Sequence, residues 1–132
     1  MIKEGEIIKG GQWDGFEVIS IYTRQQAIED GTLIDVSLVA KEAGIKFPVA
    51  LTRAVWAKYV EVPVKATGQD EQGRLWDIVW VFKKQIQDGS EMTFKVYVRN
   101  SAGWPRLETF KAICGPGNNA EPVITIMLPN ED

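Results

Sequence analysis

The chain has 132 residues, 45% of them hydrophobic and 25% charged, with five tryptophans. This composition suits one globular domain, long enough to bury roughly two-thirds of its unfolded surface. Fifteen Lys and Arg against eighteen Asp and Glu leave a net charge of -3, too small for the whole-molecule field to draw in nucleic acid or to imitate it. No histidine is present, which removes the commonest general base and zinc ligand and argues against hydrolysis built on serine, cysteine or a metal.

Residues 1–15, with Gly5, Gly10, Gly11 and Gly15 around Ile7, Ile8 and Trp13, read as a flexible N-terminal arm or hairpin, and residues 16–132 as a single α+β domain. Phe16 to Tyr22 alternates as a strand does. Thr23 then has capping-box spacing to Gln26 and predicts a helix over 24–30, stopped by Asp30-Gly31. A second helix is predicted over 35–43, where Val36, Val39, Ala40 and Ala43 recur at i, i+3, i+4 and i+7 ahead of Gly44. Thr52 is placed to cap a third helix over 52–60, carrying Val55, Trp56 and Tyr59 on one side and ended by Pro63. Gly68 to Gly73 reads as a polar loop.

Leu75 to Phe82 fits two periods. Trp76, Ile78, Trp80 and Phe82 alternate, while Leu75, Val79, Phe82 and Ile86 follow a helical face. The length of the pattern, its late cations Lys83 and Lys84 and the stop at Asp88-Gly89 favour a helix over 72–87. Met92 to Arg99, Leu107 to Cys114 and Val123 to Leu128 are three strand-like runs in succession. They predict N-terminal helices packed on one face of a C-terminal antiparallel β-meander.

Candidate sites emerge from parity and turn chemistry. Along Met92–Arg99, the residues Met92, Phe94, Val96 and Val98 form a core set. Lys95, Tyr97 and Arg99 face the other way, with Lys111 of the next strand beside them, a surface suited to an acidic protein patch or single-stranded nucleic acid. The same residues also suit an ordinary solvated sheet face. Gly115, Gly117, Asn118 and Asn119 can present backbone amides to an anion, although a tight strand connection needs the same residue types.

Cys114, the single cysteine, lacks a base to activate it and reads as a small apolar side chain closing the sheet edge. Alone, it fits a reducing compartment. Glu29, Asp30, Asp35, Asp70 and Glu71 do not repeat the spacing of a calcium loop and read as caps and turns. Trp56, Trp76 and Trp80 are predicted core anchors, and Trp13 and Trp104 exposed interface aromatics. Neither catalytic residues nor a metal or cofactor site is expected. No stretch reads as a signal peptide or membrane span, so a cytoplasmic protein with no membrane partner is expected.

Taken in order, Tyr22 to Gly31, Asp35 to Gly44, Phe47 to Thr52, Gly73 to Asp77, Lys111 to Gly117 and Glu121 to Pro129 resemble an uncharacterised family of small bacterial proteins found on phages, plasmids and other mobile elements. The resemblance spans residues 16–132 and carries no catalytic residue onto this chain. It implies a setting in which small proteins without enzymatic signatures inhibit host defence, anti-CRISPR proteins among them. The expected function is therefore a non-enzymatic binding inhibitor of a host protein or ribonucleoprotein, such as a CRISPR nuclease, with direct nucleic-acid binding not favoured. A small-ligand or nucleotide-sequestering protein using the Gly115–Asn119 loop is the alternative.

Overall fold

The computed structural model describes residues 23–63, 70–100, 103–117 and 121–131. The arm at 1–15 and the strand expected at 16–22 lie outside them. The described part is one α+β domain: a five-stranded sheet in the order β1-β2-β5-β4-β3, with helices.

Thr23 caps the first helix, α1 (Arg24–Glu29), as its spacing predicts. Its hydroxyl accepts from the Gln26 amide at 3.1 Å, and the Gln26 side chain accepts from the Thr23 amide at 2.9 Å. Gly31, at φ +86°, then turns the chain, in the left-handed region that glycine enters at little cost. The turn leads into a strand before the second helix. Leu33–Asp35 forms strand β1, and α2 (Ser37–Glu42) starts two residues later than the predicted start at Asp35. The Asp35 carboxylate accepts from the amide and hydroxyl of Ser37, closing the strand and opening the helix.

β1 exists because it pairs antiparallel with β2 (Val49–Thr52), which itself runs parallel to β5 (Pro122–Met127). The sheet is therefore mixed, and two strands larger than the predicted meander. The meander itself is present: β3 (Glu91–Val98), β4 (Arg106–Pro116) and β5 pair antiparallel in sequence.

The third helix starts at its Thr52 cap as α3 (Arg53–Val55) and widens into a π-helical turn, Trp56–Val60, closed by the Glu61 amide on the Trp56 carbonyl at 2.9 Å. The ambiguous segment is helical, as its length and stop signals predict: α4 runs Glu71–Gln85. Asp70 caps it by accepting from the Gly73 amide at 2.6 Å. Its start, one residue before the predicted 72, places Glu71, Gln72 and Gly73 of the predicted loop in the helix.

Val49, Leu51, Phe94, Val96, Phe110, Ala112, Ile124 and Ile126 share one sheet face and join Val55, Tyr59, Leu75, Ile78, Val79 and Phe82 in the core. An aromatic chain crosses it, with ring centroids 5.1 Å apart for Phe82 and Phe94, 5.3 Å for Phe94 and Phe110 and 4.8 Å for Phe110 and Tyr59. Trp56 and Trp76 are half-buried against this core. Trp80 is not a core anchor: it is exposed, stacked on Trp76 at 5.7 Å with the Lys84 ammonium 5.2 Å from its ring.

The helices do not all share one face. Thr125 projects opposite to Ile124 and Ile126, and α1 reaches it there: Arg24 donates to the Thr125 hydroxyl at 2.6 Å and to the Ile124 carbonyl at 2.8 Å. Burial holds the Arg24 guanidinium below the usual arginine range, against the opposing pull of Asp35 and Glu121. No helix among the described residues is long and apolar enough to cross a membrane.

Candidate partner-binding surface

Alternation along β3 sorts its side chains as predicted. Phe94, Val96 and Val98 are buried and Met92 partly so, whereas Thr93, Lys95 and Tyr97 are exposed. Register then adds what parity within one strand could not. Tyr97 pairs directly with Leu107 of β4. They are 67% and 49% exposed, so this end of the outer face lies open while α1 sits at the other end. Trp104, in the β3–β4 connection, is 91% exposed, as predicted for an interface aromatic. Trp13 lies outside the described residues.

Lys95 stands two residues from Tyr97 on the same face. Its backbone, on the sheet's edge strand, is held by the Gln85 side chain, which donates to the Lys95 carbonyl at 2.9 Å and accepts from its amide at 3.4 Å. Gln85 thus takes the place of a neighbouring strand, a device that discourages edge-to-edge pairing.

The other two predicted surface cations are turned to internal work. Arg99 lies one residue beyond β3 and is half-buried. Its Nε donates to the Gly103 carbonyl at 3.2 Å, and its own carbonyl accepts from Arg74 at 2.7 Å. Lys111, opposite Thr93 and Met127, is half-buried and donates its ammonium to the Glu131 backbone carbonyl. Of the four residues singled out, the structure leaves Lys95 and Tyr97 together on the open surface. It adds Leu107 and Trp104.

Arg74 is the residue whose role the sequence did not disclose. It is 6% exposed. Its guanidinium donates to the Tyr59 carbonyl at 3.0 Å, the Arg99 carbonyl at 2.7 Å and the Asn100 side chain at 2.5 Å, and Asn100 donates to the Lys58 carbonyl at 3.0 Å. Carbonyls in the last turn of a helix lack intrahelical partners. Here those of the π-helical turn are met by Arg74 and Asn100, which tie α4, the turn and the end of β3 together at the root of the loop bearing Trp104. Burial holds the Arg74 guanidinium below its ordinary range. Beside it, the Tyr59 hydroxyl donates to Glu108 at 3.0 Å, and burial together with this carboxylate pushes the phenol up to about 12.

The Gly115–Asn119 stretch is placed less favourably for an anion. Gly115 and Pro116 belong to β4, paired with Val123 and Pro122. The Gly117 amide is donated to the Glu121 carbonyl at 2.7 Å, and a Cβ built on Gly117 would stand 2.6 Å from the Glu121 carboxylate. Asn118 and Asn119 lie outside the described residues. Cys114 is half-buried in β4, an interior strand, so it does not close a sheet edge. Its amide donates to the Ser90 carbonyl at 2.8 Å. Asp30, Asp35 and Asp70 accept from backbone amides at turns and caps, as predicted.

No curated protein and no solved structure matches the chain. The model of a family of unknown function, DUF6573, matches residues 11–132, beginning at residue 11 where the resemblance read from the motifs began at 16, and the chain belongs to that family.

Proposed function

We propose that this protein acts by binding a macromolecular partner, without catalysis, through the outer face of the β3–β4 hairpin. The observation that supports this reading is the exposed set Tyr97, Leu107 and Trp104 beside Lys95. Exposed Tyr and Trp are among the residues that dominate protein interfaces, and a lysine such as Lys95 belongs at the polar rim around them. Holding them on paired strands, with the loop root clamped by Arg74, lowers the ordering cost of binding. The partner chemistry that fits is an apolar protein patch with acidic residues at its margin. In the mobile-element setting implied by the sequence motifs, that partner is a component of host defence and the protein its inhibitor.

Affinity capture from a bacterial host lysate tests this, using the wild-type chain and a Tyr97→Ser, Leu107→Ser, Trp104→Ser variant. All three side chains are exposed, so the variant should melt within a few degrees of wild type. A host protein retained by the wild type and lost from the variant is the expected result. Identical capture by both folded proteins would remove this face from the function.

A further inference from the structure

The sequence holds three Asp-Gly pairs, Asp14-Gly15, Asp30-Gly31 and Asp88-Gly89, of which the first lies outside the described residues. In such a pair the glycine nitrogen can attack the aspartate Cγ, since glycine has no Cβ to obstruct the approach. The N–Cγ bond forms, the nitrogen gives up its proton, and the protonated carboxyl loses its hydroxyl as water, which leaves a succinimide ring. Water then opens the ring. Cleavage of the N–Cγ bond restores aspartate, whereas cleavage between the nitrogen and the main-chain carbonyl carbon leaves isoaspartate, in which the chain runs through Cβ and Cγ and the former main-chain carbonyl is a free carboxylate. The sequence is balanced by water alone and needs no oxidant or cofactor.

The two described pairs are the same dipeptide, and the fold treats them differently. Asp30 ends α1, where its Oδ1 accepts from the Thr32 amide at 3.0 Å and its own amide donates to the Gln26 carbonyl at 3.0 Å. The Gly31 amide donates to the Ile28 carbonyl at 3.3 Å. Both groups that would have to join are therefore engaged. Asp88 and Gly89 lie in the connection between the end of α4 at Gln85 and the start of β3 at Glu91, and both are exposed. Among the described residues, the Asp88 carboxylate meets no donor and the Gly89 amide no acceptor. A Cβ built on Gly89, at φ +122°, would have nothing within 4 Å, so carboxyl and nitrogen are free to rotate toward each other. The folded chain also has room for the product. Phe82 holds α4 in the core on one side, and the Cys114 amide holds the Ser90 carbonyl at 2.8 Å on the other, so the added backbone carbon falls within the turn.

We infer that Asp88 is a modification site, converted spontaneously to isoaspartate in the folded protein, and that the hydrogen bonds of the α1 terminus spare Asp30 the same reaction. The site is separate from the hairpin surface and does not depend on that surface's function.

The full chain is aged at neutral pH and body temperature, with and without urea. Peptide mapping with electron-transfer fragmentation, which separates isoaspartate from aspartate, then follows both sites over time. In the folded chain isoaspartate at position 88 should accumulate about tenfold faster than at position 30, because at Asp30 two hydrogen bonds must open before the ring can close. In urea that protection is gone, and the two positions should react alike. Absence of isoaspartate at position 88, equal accumulation at both positions of the folded chain, or an excess at position 88 that persists undiminished in urea would each overturn the inference.

Discussion

Replacing Arg74 with methionine keeps an unbranched apolar stem and removes the guanidinium fork. Among the described residues, three acceptors then lose the guanidinium as a donor: the Tyr59 and Arg99 carbonyls and the Asn100 side-chain oxygen. An unsatisfied buried acceptor costs about 1–3 kcal/mol. The bond to Tyr59 is fully buried and the other two partly so, so water recovers some of the loss at the outer pair. Removing a buried cation also relieves its desolvation, the cause of the lowered Arg74 pKa. The net expectation is a loss of about 2–3 kcal/mol, or roughly 6–15 °C in Tm for a chain of this size.

Urea denaturation gives the free energy. Limited trypsin digestion reports the local consequence, because Arg99 and Arg106 flank the loop that the clamp holds, and cleavage there should accelerate. Arg74→Lys keeps the charge but replaces the fork with a point donor, and should recover less than half of the loss. A loss below about 1 kcal/mol in Arg74→Met, with unchanged cleavage, would show that these carbonyls find water unaided and that the clamp is not what holds the loop.

Two further outcomes rest on the same geometry. The Tyr59 phenol sits at about 12 against an ordinary 10.0. The fold therefore favours its neutral form, and the stability this contributes is complete below pH 10.0 and lost as pH climbs through about 12. Tyr59→Phe should flatten that alkaline limb of the unfolding curve, and a phenolate absorbance titration showing all three tyrosines at ordinary values would contradict the assignment. Gln85→Ala should uncover the β3 edge at Lys95 and promote concentration-dependent association, read by light scattering, while Gln85→Asn, too short to bridge both groups, behaves alike; a variant that stays as dispersed as wild type would show that the edge is guarded elsewhere.

Much of the local structure was legible in the sequence, because local chemistry decides it. The Thr23–Gln26 box, the Thr52 and Asp70 caps and the turns at Gly31 and Gly44 each depend on residues within a few positions of one another. The alternation of β3 sorted Lys95 and Tyr97 outward from Phe94 and Val96 by pleat geometry alone. The helix through Trp76 and Trp80 could be read from length and stop signals, where periodicity alone was divided.

Tertiary structure decided the rest, through contacts between residues far apart in the chain. Leu33–Asp35 is too short to show a period, and it is a strand because Ala50, Leu51 and Thr52 lie beside it. The parallel pairing of β2 with β5 joins Val49 to Ile124 across most of the chain, and no local signal announces such a partner. A distant acceptor likewise redirected Lys111, to Glu131, since a long cation goes to whatever carbonyl the fold brings within reach, whereas Arg99 turns to Gly103, four residues on in its own connection. Leu107 entered the surface only through its register opposite Tyr97. Arg74 stood in a motif without a role, because its acceptors among the described residues come from a π-helical turn and a strand end that only the folded chain brings together.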